Sequence, residues 1–107
     1  MLEAPINTIL SETCQKLKTL YGQQIDQIIL YGSQARGDAA PDSDIDILIV
    51  LKQDFKYSDE SNKISNLIAE LCLKYNTLIS CALASSREFQ DNNNSYFRNI
   101  RREGIPL

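Results

Sequence analysis

Two aspartates, Asp44 and Asp46, stand at the head of an apolar run, Ile45-Asp46-Ile47-Leu48-Ile49-Val50-Leu51, and they constrain the fold more than anything else in the sequence. A run that is apolar at both parities reads as a central strand covered on both sides. Ile45, Ile47 and Ile49 fall on one face, while Leu48 and Val50 continue the face of the carboxylates. Side chains two apart on a strand share a face, so the two acids point the same way with Cα atoms about 6–7 Å apart. Like charges so placed repel unless a cation lies between them or one takes a proton. A polar strand entry, with Asp42-Ser43-Asp44 as a turn and Asp46 facing solvent, would be explanation enough for an isolated Asp-x-Asp.

The segment before the acids changes that balance. Gln27 to Tyr31 reads as a buried strand ending in Gly32-Ser33, which opens a short helical turn through Ala35 and Arg36, followed by a polar loop with Gly37 and Pro41. Glycine lets backbone approach a ligand closely, and N–H groups at a turn leading into a helix form a nest for phosphate oxygens. A phosphate cradle beside a metal clamp points to a nucleoside triphosphate with Mg²⁺. Arg36 is either a solvated loop residue or a phosphate contact.

Gly32-Ser33, ten residues from Gln34 to Ser43, and Asp44-Ile45-Asp46 resemble the signature of the DNA polymerase β-like nucleotidyltransferase superfamily. The fuller form, Gly32-Ser33-Gln34-Ala35-Arg36-Gly37 with Ser43-Asp44-Ile45-Asp46, is similar to its minimal nucleotidyltransferase branch, known as antitoxins of HEPN modules. Tyr96 to Gly104 resembles the ending of such proteins. The resemblance implies an α/β fold, a small mixed sheet packed with helices, and one minimal nucleotidyltransferase domain over residues 1–107. It implies that Asp44 and Asp46 are catalytic and hold Mg²⁺, that Gly32, Ser33 and Arg36 bind ATP, and that AMP passes to a tyrosine of a cognate HEPN ribonuclease toxin. Many members add a third carboxylate on a neighbouring strand. Here no Asp or Glu occurs between Tyr75 and Glu88, and the position falls at or near Ser80, read from the sequence as a core hydroxyl bonded to backbone. That gap favours the alternative of a non-catalytic antitoxin that neutralises the toxin by binding.

The rest of the chain narrows the chemistry further. There is no histidine, which excludes His-based general bases and His-ligated metals within the chain. Cys14, Cys72 and Cys81 are too scattered for a disulfide framework or zinc site and read as packing residues. A formal charge of −3 argues against broad capture of nucleic acid. With no long apolar run and no signal-peptide pattern over Met1 to Pro5, no membrane association is expected, and the expected location is the cytoplasm.

Apolar spacing predicts a helix from Pro5 to Tyr21 ended by Gly22, and another capped by Ser58 and ended at Asn76. Thr77 to Ala84 reads as a third strand, and Ser85 with Glu88 as a capping box. A last helix starts near Ser95, with Tyr96, Phe97 and Ile100 inward and Arg98, Arg101 and Arg102 outward, and is stopped by Gly104 and Pro106. Small-molecule nucleotidyl transfer would need an acceptor domain for which no residues are left.

Overall fold

The computed structural model describes residues 5–39 and 43–107. The readings at Met1 to Ala4, at Pro41 and at the Asp42 turn lie outside the described residues. Helix α1 (Ile6–Tyr21) follows Pro5 and buries Ile9, Leu10, Thr13, Cys14, Leu17 and Tyr21 along one stripe. Thr13 sits on that stripe because its hydroxyl donates to the Ile9 carbonyl at 2.7 Å, which satisfies the buried hydroxyl. Gly22 ends the helix at φ +57°, and a single 3₁₀ turn leads into strand β1 (Ile25–Tyr31), which begins two residues earlier than the sequence predicts.

Helix α2 (Ser33–Arg36) is the anticipated helical turn, and β2 (Ile45–Leu51) opens one residue after Asp44. Helix α3 (Tyr57–Tyr75) starts ahead of the predicted Ser58 cap: the residue before it is Lys56, in extended geometry, with no side chain capping the helix. Asp59 and Glu60 in the first turn still oppose the helix dipole. Asn76 stops α3 in the left-handed region at φ 49°, as expected of that residue type. Strand β3 (Ile79–Ser85) is followed by α4 (Ser86–Asp91), whose N-cap is Ser85, accepting from the Glu88 N–H at 3.1 Å. Helix α5 (Ser95–Glu103) is capped by Asn94 through the Phe97 N–H.

The sheet order is β3-β2-β1-β4, with β1 and β2 antiparallel and β2 and β3 parallel. A parallel pair needs a crossover, and α3 provides it. Strand β4 (Ile105–Pro106) is not anticipated by the sequence reading, which took these residues as a helix stop. It pairs antiparallel with β1, Ile105 opposite Leu30 and Pro106 opposite Ile29, and the Leu107 N–H bonds the Ile28 carbonyl at 2.8 Å. Proline fits there because an edge strand has a side on which no donor is required.

The face parity of β2 is as predicted. Ile45, Ile47 and Ile49 join Ile28, Leu30 and Leu83 under α1 and α3. Leu48 and Val50 join Ile29, Ala84, Phe89, Phe97 and Ile100 under α4 and α5. Tyr96 departs from its predicted inward position: it is 42% exposed. Cys14, Cys72 and Cys81 all pack in or against the α1–α3 core as free thiols, and burial pushes Cys81 up to about 12. Among the described residues no helix is long and apolar enough to cross a membrane.

Candidate active site

Asp46 occupies the second position of β2, on the same side of the sheet as Leu48 and Val50, and is therefore directed to the α4–α5 side at the sheet rim. Its neighbours in register are Tyr31 on β1 and Ser80 on β3. By the same alternation these three side chains form a row across three strands. Asp44, just before β2, is exposed, while Asp46 is half-buried. Burial raises the Asp46 carboxyl above the usual carboxylate range, Asp44 raises it further, and Arg36 opposes the shift. Two acids and one arginine thus share a field at this rim.

Gly32 closes the site from the β1 side. It has φ +77°, and a Cβ placed there would overlap Asp46 Oδ2. The glycine is therefore needed both for its conformation and for the space it leaves to the carboxylate. Ser33, half-buried, begins α2. The first N–H groups of a helical turn have no intrahelical acceptor, so Ser33 and Gln34 present donors on the side where the chain leaves β1. Gln34, not singled out in the sequence, ties the motif together: its Nε2 donates to the Ser43 carbonyl at 3.4 Å across the intervening loop.

Arg36 lies on the exposed end of α2. Its Nε bonds Asp38 Oδ2 at 3.2 Å, and its Nη1 lies 3.6 Å from Glu103 Oε2 at the end of α5. The arginine is held at the rim by two carboxylates rather than standing free in the loop. Asp38 is engaged in that pair.

Ser80 is exposed, which overturns its reading as a core hydroxyl. It stands beside Asp46 where a carboxylate would complete a three-acid set. Among the described residues no cluster of three His, Cys, Asp or Glu side chains could hold a metal. A broad groove of about 1120 Å³ lies between α1 and α3, but it is lined by Ser11, Glu12, Thr19 and Leu67 and faces the opposite side of the sheet from Asp46.

The nucleotidyltransferase domain model matches residues 7–98, from the first turn of α1 into α5. The chain belongs to the nucleotidyltransferase domain family. A Methanocaldococcus jannaschii protein bearing the name putative protein adenylyltransferase is 41% identical to this nucleotidyltransferase over 99 residues, covering 92% of this chain and 93% of that one. Among solved structures, a Sulfolobus solfataricus protein described as a putative nucleotidyltransferase superposes with a TM-score of 0.68 at 20% identity, over 92% of this chain and 76% of that one. A toxin-antitoxin solved with AMP-PNP gives 0.62 at 16% identity, over 89% and 69%. At such identities the structures speak for the fold, which is that of the polymerase β-like nucleotidyltransferases.

Proposed function

We propose that this nucleotidyltransferase is a Mg²⁺-dependent antitoxin that transfers AMP from ATP to a tyrosine of a cognate HEPN ribonuclease toxin. The observation that carries the reading is the closeness of Gly32 to Asp46, which sets the phosphate-cradling turn directly against a carboxylate whose partner, Asp44, lies on the same rim. Kinship with a protein named for protein adenylylation supports a protein acceptor. Likeness to a toxin-antitoxin carrying an ATP analogue supports ATP and a toxin. ATP as donor sets the reaction in the cytoplasm.

The residues present fit a divalent cation: two hard oxygen donors share the rim, and the half-buried one is held above its usual pKa by burial first and then by its neighbour's charge, a penalty that a cation would relieve. Asp44 and Asp46 would hold Mg²⁺, which when bound supplies positive charge to the triphosphate and leaving group. Gly32 and Ser33 bind the outer phosphates through backbone N–H groups, and Arg36 shifts from its carboxylate partners toward the phosphates. The acceptor oxygen forms a bond to the α-phosphorus as the bond to pyrophosphate breaks. The phenolic proton leaves to solvent or to a rim carboxylate. A phenol has a pKa near 10, so it needs less help in losing that proton than an alcohol does.

Ser80 in place of a third acid supports the second reading, an antitoxin that acts by binding alone. Incubating the protein with Mg-ATP and the toxin, then measuring the toxin's intact mass, separates the two. AMP-sized additions that vanish with Asp44→Asn or Asp46→Asn are the expected result. Neutralisation that survives both substitutions with no mass change would establish masking instead.

A further inference from the structure

We propose that the exposed ring of Tyr96 is the stacking platform for the purine base of the donor nucleotide, an inference that rests on the nucleotidyl-transfer reading above. Four aromatic rings meet edge to face in a chain leading from the core to the rim. Phe89 and Phe97 are buried, at 5% and 6% exposure, with centroids 5.9 Å apart at 79°. Phe97 meets Tyr96 at 5.2 Å and 66°, and Tyr96 meets Tyr31 at 5.9 Å and 86°. The inner rings are ordinary core, whereas Tyr96 leaves 42% of its surface uncovered.

The outer end of this chain is held as well. The Tyr96 and Tyr31 hydroxyls lie 2.9 Å apart in a hydrogen bond. Tyr31 is the register partner of Asp46 and shares its face of the sheet. The exposed ring is therefore tethered, through one hydroxyl contact, to the residue directly across from the proposed metal ligand. The other sheet positions on this side of Asp46, Ser80 and Ala82, carry no π surface. A ring already ordered by packing loses little rotamer freedom when a ligand covers it. Bases stack on such rings with little dependence on hydrogen-bond pattern, and more strongly when their π surface is larger.

The expected nucleotide preference follows from that geometry. ATP and GTP bind more tightly than CTP and UTP, and the difference lies in the ring rather than in the phosphate turn. Isothermal titration calorimetry of the full chain in Mg²⁺ tests this with ATP, UTP and inorganic tripolyphosphate as probes. Tyr96→Ala should weaken ATP about tenfold or more, narrow the gap between ATP and UTP, and leave tripolyphosphate affinity as in the native chain. Tyr96→Phe, which retains the π surface and loses only the hydroxyl contact to Tyr31, should stay much closer to native ATP affinity than Tyr96→Ala does. Native ATP affinity in Tyr96→Ala would overturn the inference, as would equal losses of ATP and tripolyphosphate, or a Tyr96→Phe variant as weak as Tyr96→Ala. A native chain that binds neither ATP nor tripolyphosphate would instead sink the transferase reading itself, and this inference with it.

Discussion

Gly32 is the residue at which one added carbon has the largest predicted effect. Alanine there would hold a backbone conformation at φ +77° that L residues rarely adopt, and its Cβ would push into Asp46 Oδ2. Gly32→Ala should lower stability by about 1–3 kcal/mol in denaturant titration and abolish AMP transfer in the same preparation. Native transfer by that variant would separate the turn from the chemistry. Asp46 yields a prediction of the opposite sign. Its folded pKa is raised, by burial first and then by Asp44, so the folded state binds this proton more tightly than the unfolded chain does. The stability linked to that proton is fully present below the unfolded carboxylate range and is lost as pH rises through the raised folded value. Asp46→Asn should therefore melt above the native protein at neutral pH without Mg²⁺, and the gap should close in acid. A thermal melt series across pH checks this, and a lower neutral melting point for the variant would overturn it. The sequence showed Asp46 beside a like charge and Gly32 as a close-approach position. It could not show that the space left by Gly32 is filled by Asp46 itself, since a contact between residues fourteen apart exists only once β1 and β2 pair.

At the scale of elements, local signals were legible wherever one residue controls the backbone. Asn76 in the left-handed cap and Ser85 bonding the Glu88 N–H are as read from the sequence. Ser58 was misread because a cap depends on its hydroxyl reaching a free N–H, and the chain enters α3 two residues too early for that. Strand β4 was missed because two residues carry no periodicity: the strand exists through pairing with β1 and through Gly104, where a Cβ would lie 2.5 Å from both Ile29 Cγ2 and the Ile100 carbonyl oxygen. Tyr96 and Ser80 were misplaced for a related reason. Helical and strand spacing assigns a face, but whether that face is covered at the rim depends on where the opposing helix stops. The register of β3 on β2 makes Ser80 a position where a new acid would stand on the face of Asp46. Ser80→Asp should destabilise the Mg²⁺-free protein by about 0.2–1 kcal/mol through like-charge repulsion across the strands. Mg²⁺ should then raise its melting temperature more than it raises that of the native chain, and transfer should quicken. An equal response to Mg²⁺ in both proteins would mean that β3 contributes nothing to the cation site.

For the whole molecule, the order helix, strand, strand, helix, strand, helix was readable because α1 and α3 repeat their apolar residues without interruption, and α3 supplies the crossover that the parallel β2–β3 pair needs. The two helical layers then do different things. Helices α1 and α3 close one core, while α4 and α5 cover the other side only as far as the rim where Tyr31, Asp46 and Ser80 line up. Under the proposed function the chain builds a donor half, and the toxin brings the acceptor hydroxyl, its orientation and the remaining walls. Catalysis and masking would then bury the same surfaces, so complex formation alone does not distinguish them. Stoichiometry does. With the toxin in about tenfold excess over the chain and Mg-ATP abundant, even turnover well below about 1 s⁻¹ would modify every toxin molecule in time, and ribonuclease activity should decay toward zero. Masking would halt at the fraction of toxin matched by chain, with or without ATP. A decay that runs to completion, stops when Mg²⁺ is chelated and is absent with Asp46→Asn is the expected outcome, and an ATP-independent plateau set by the amount of chain added would show that the site's geometry is retained without its reaction.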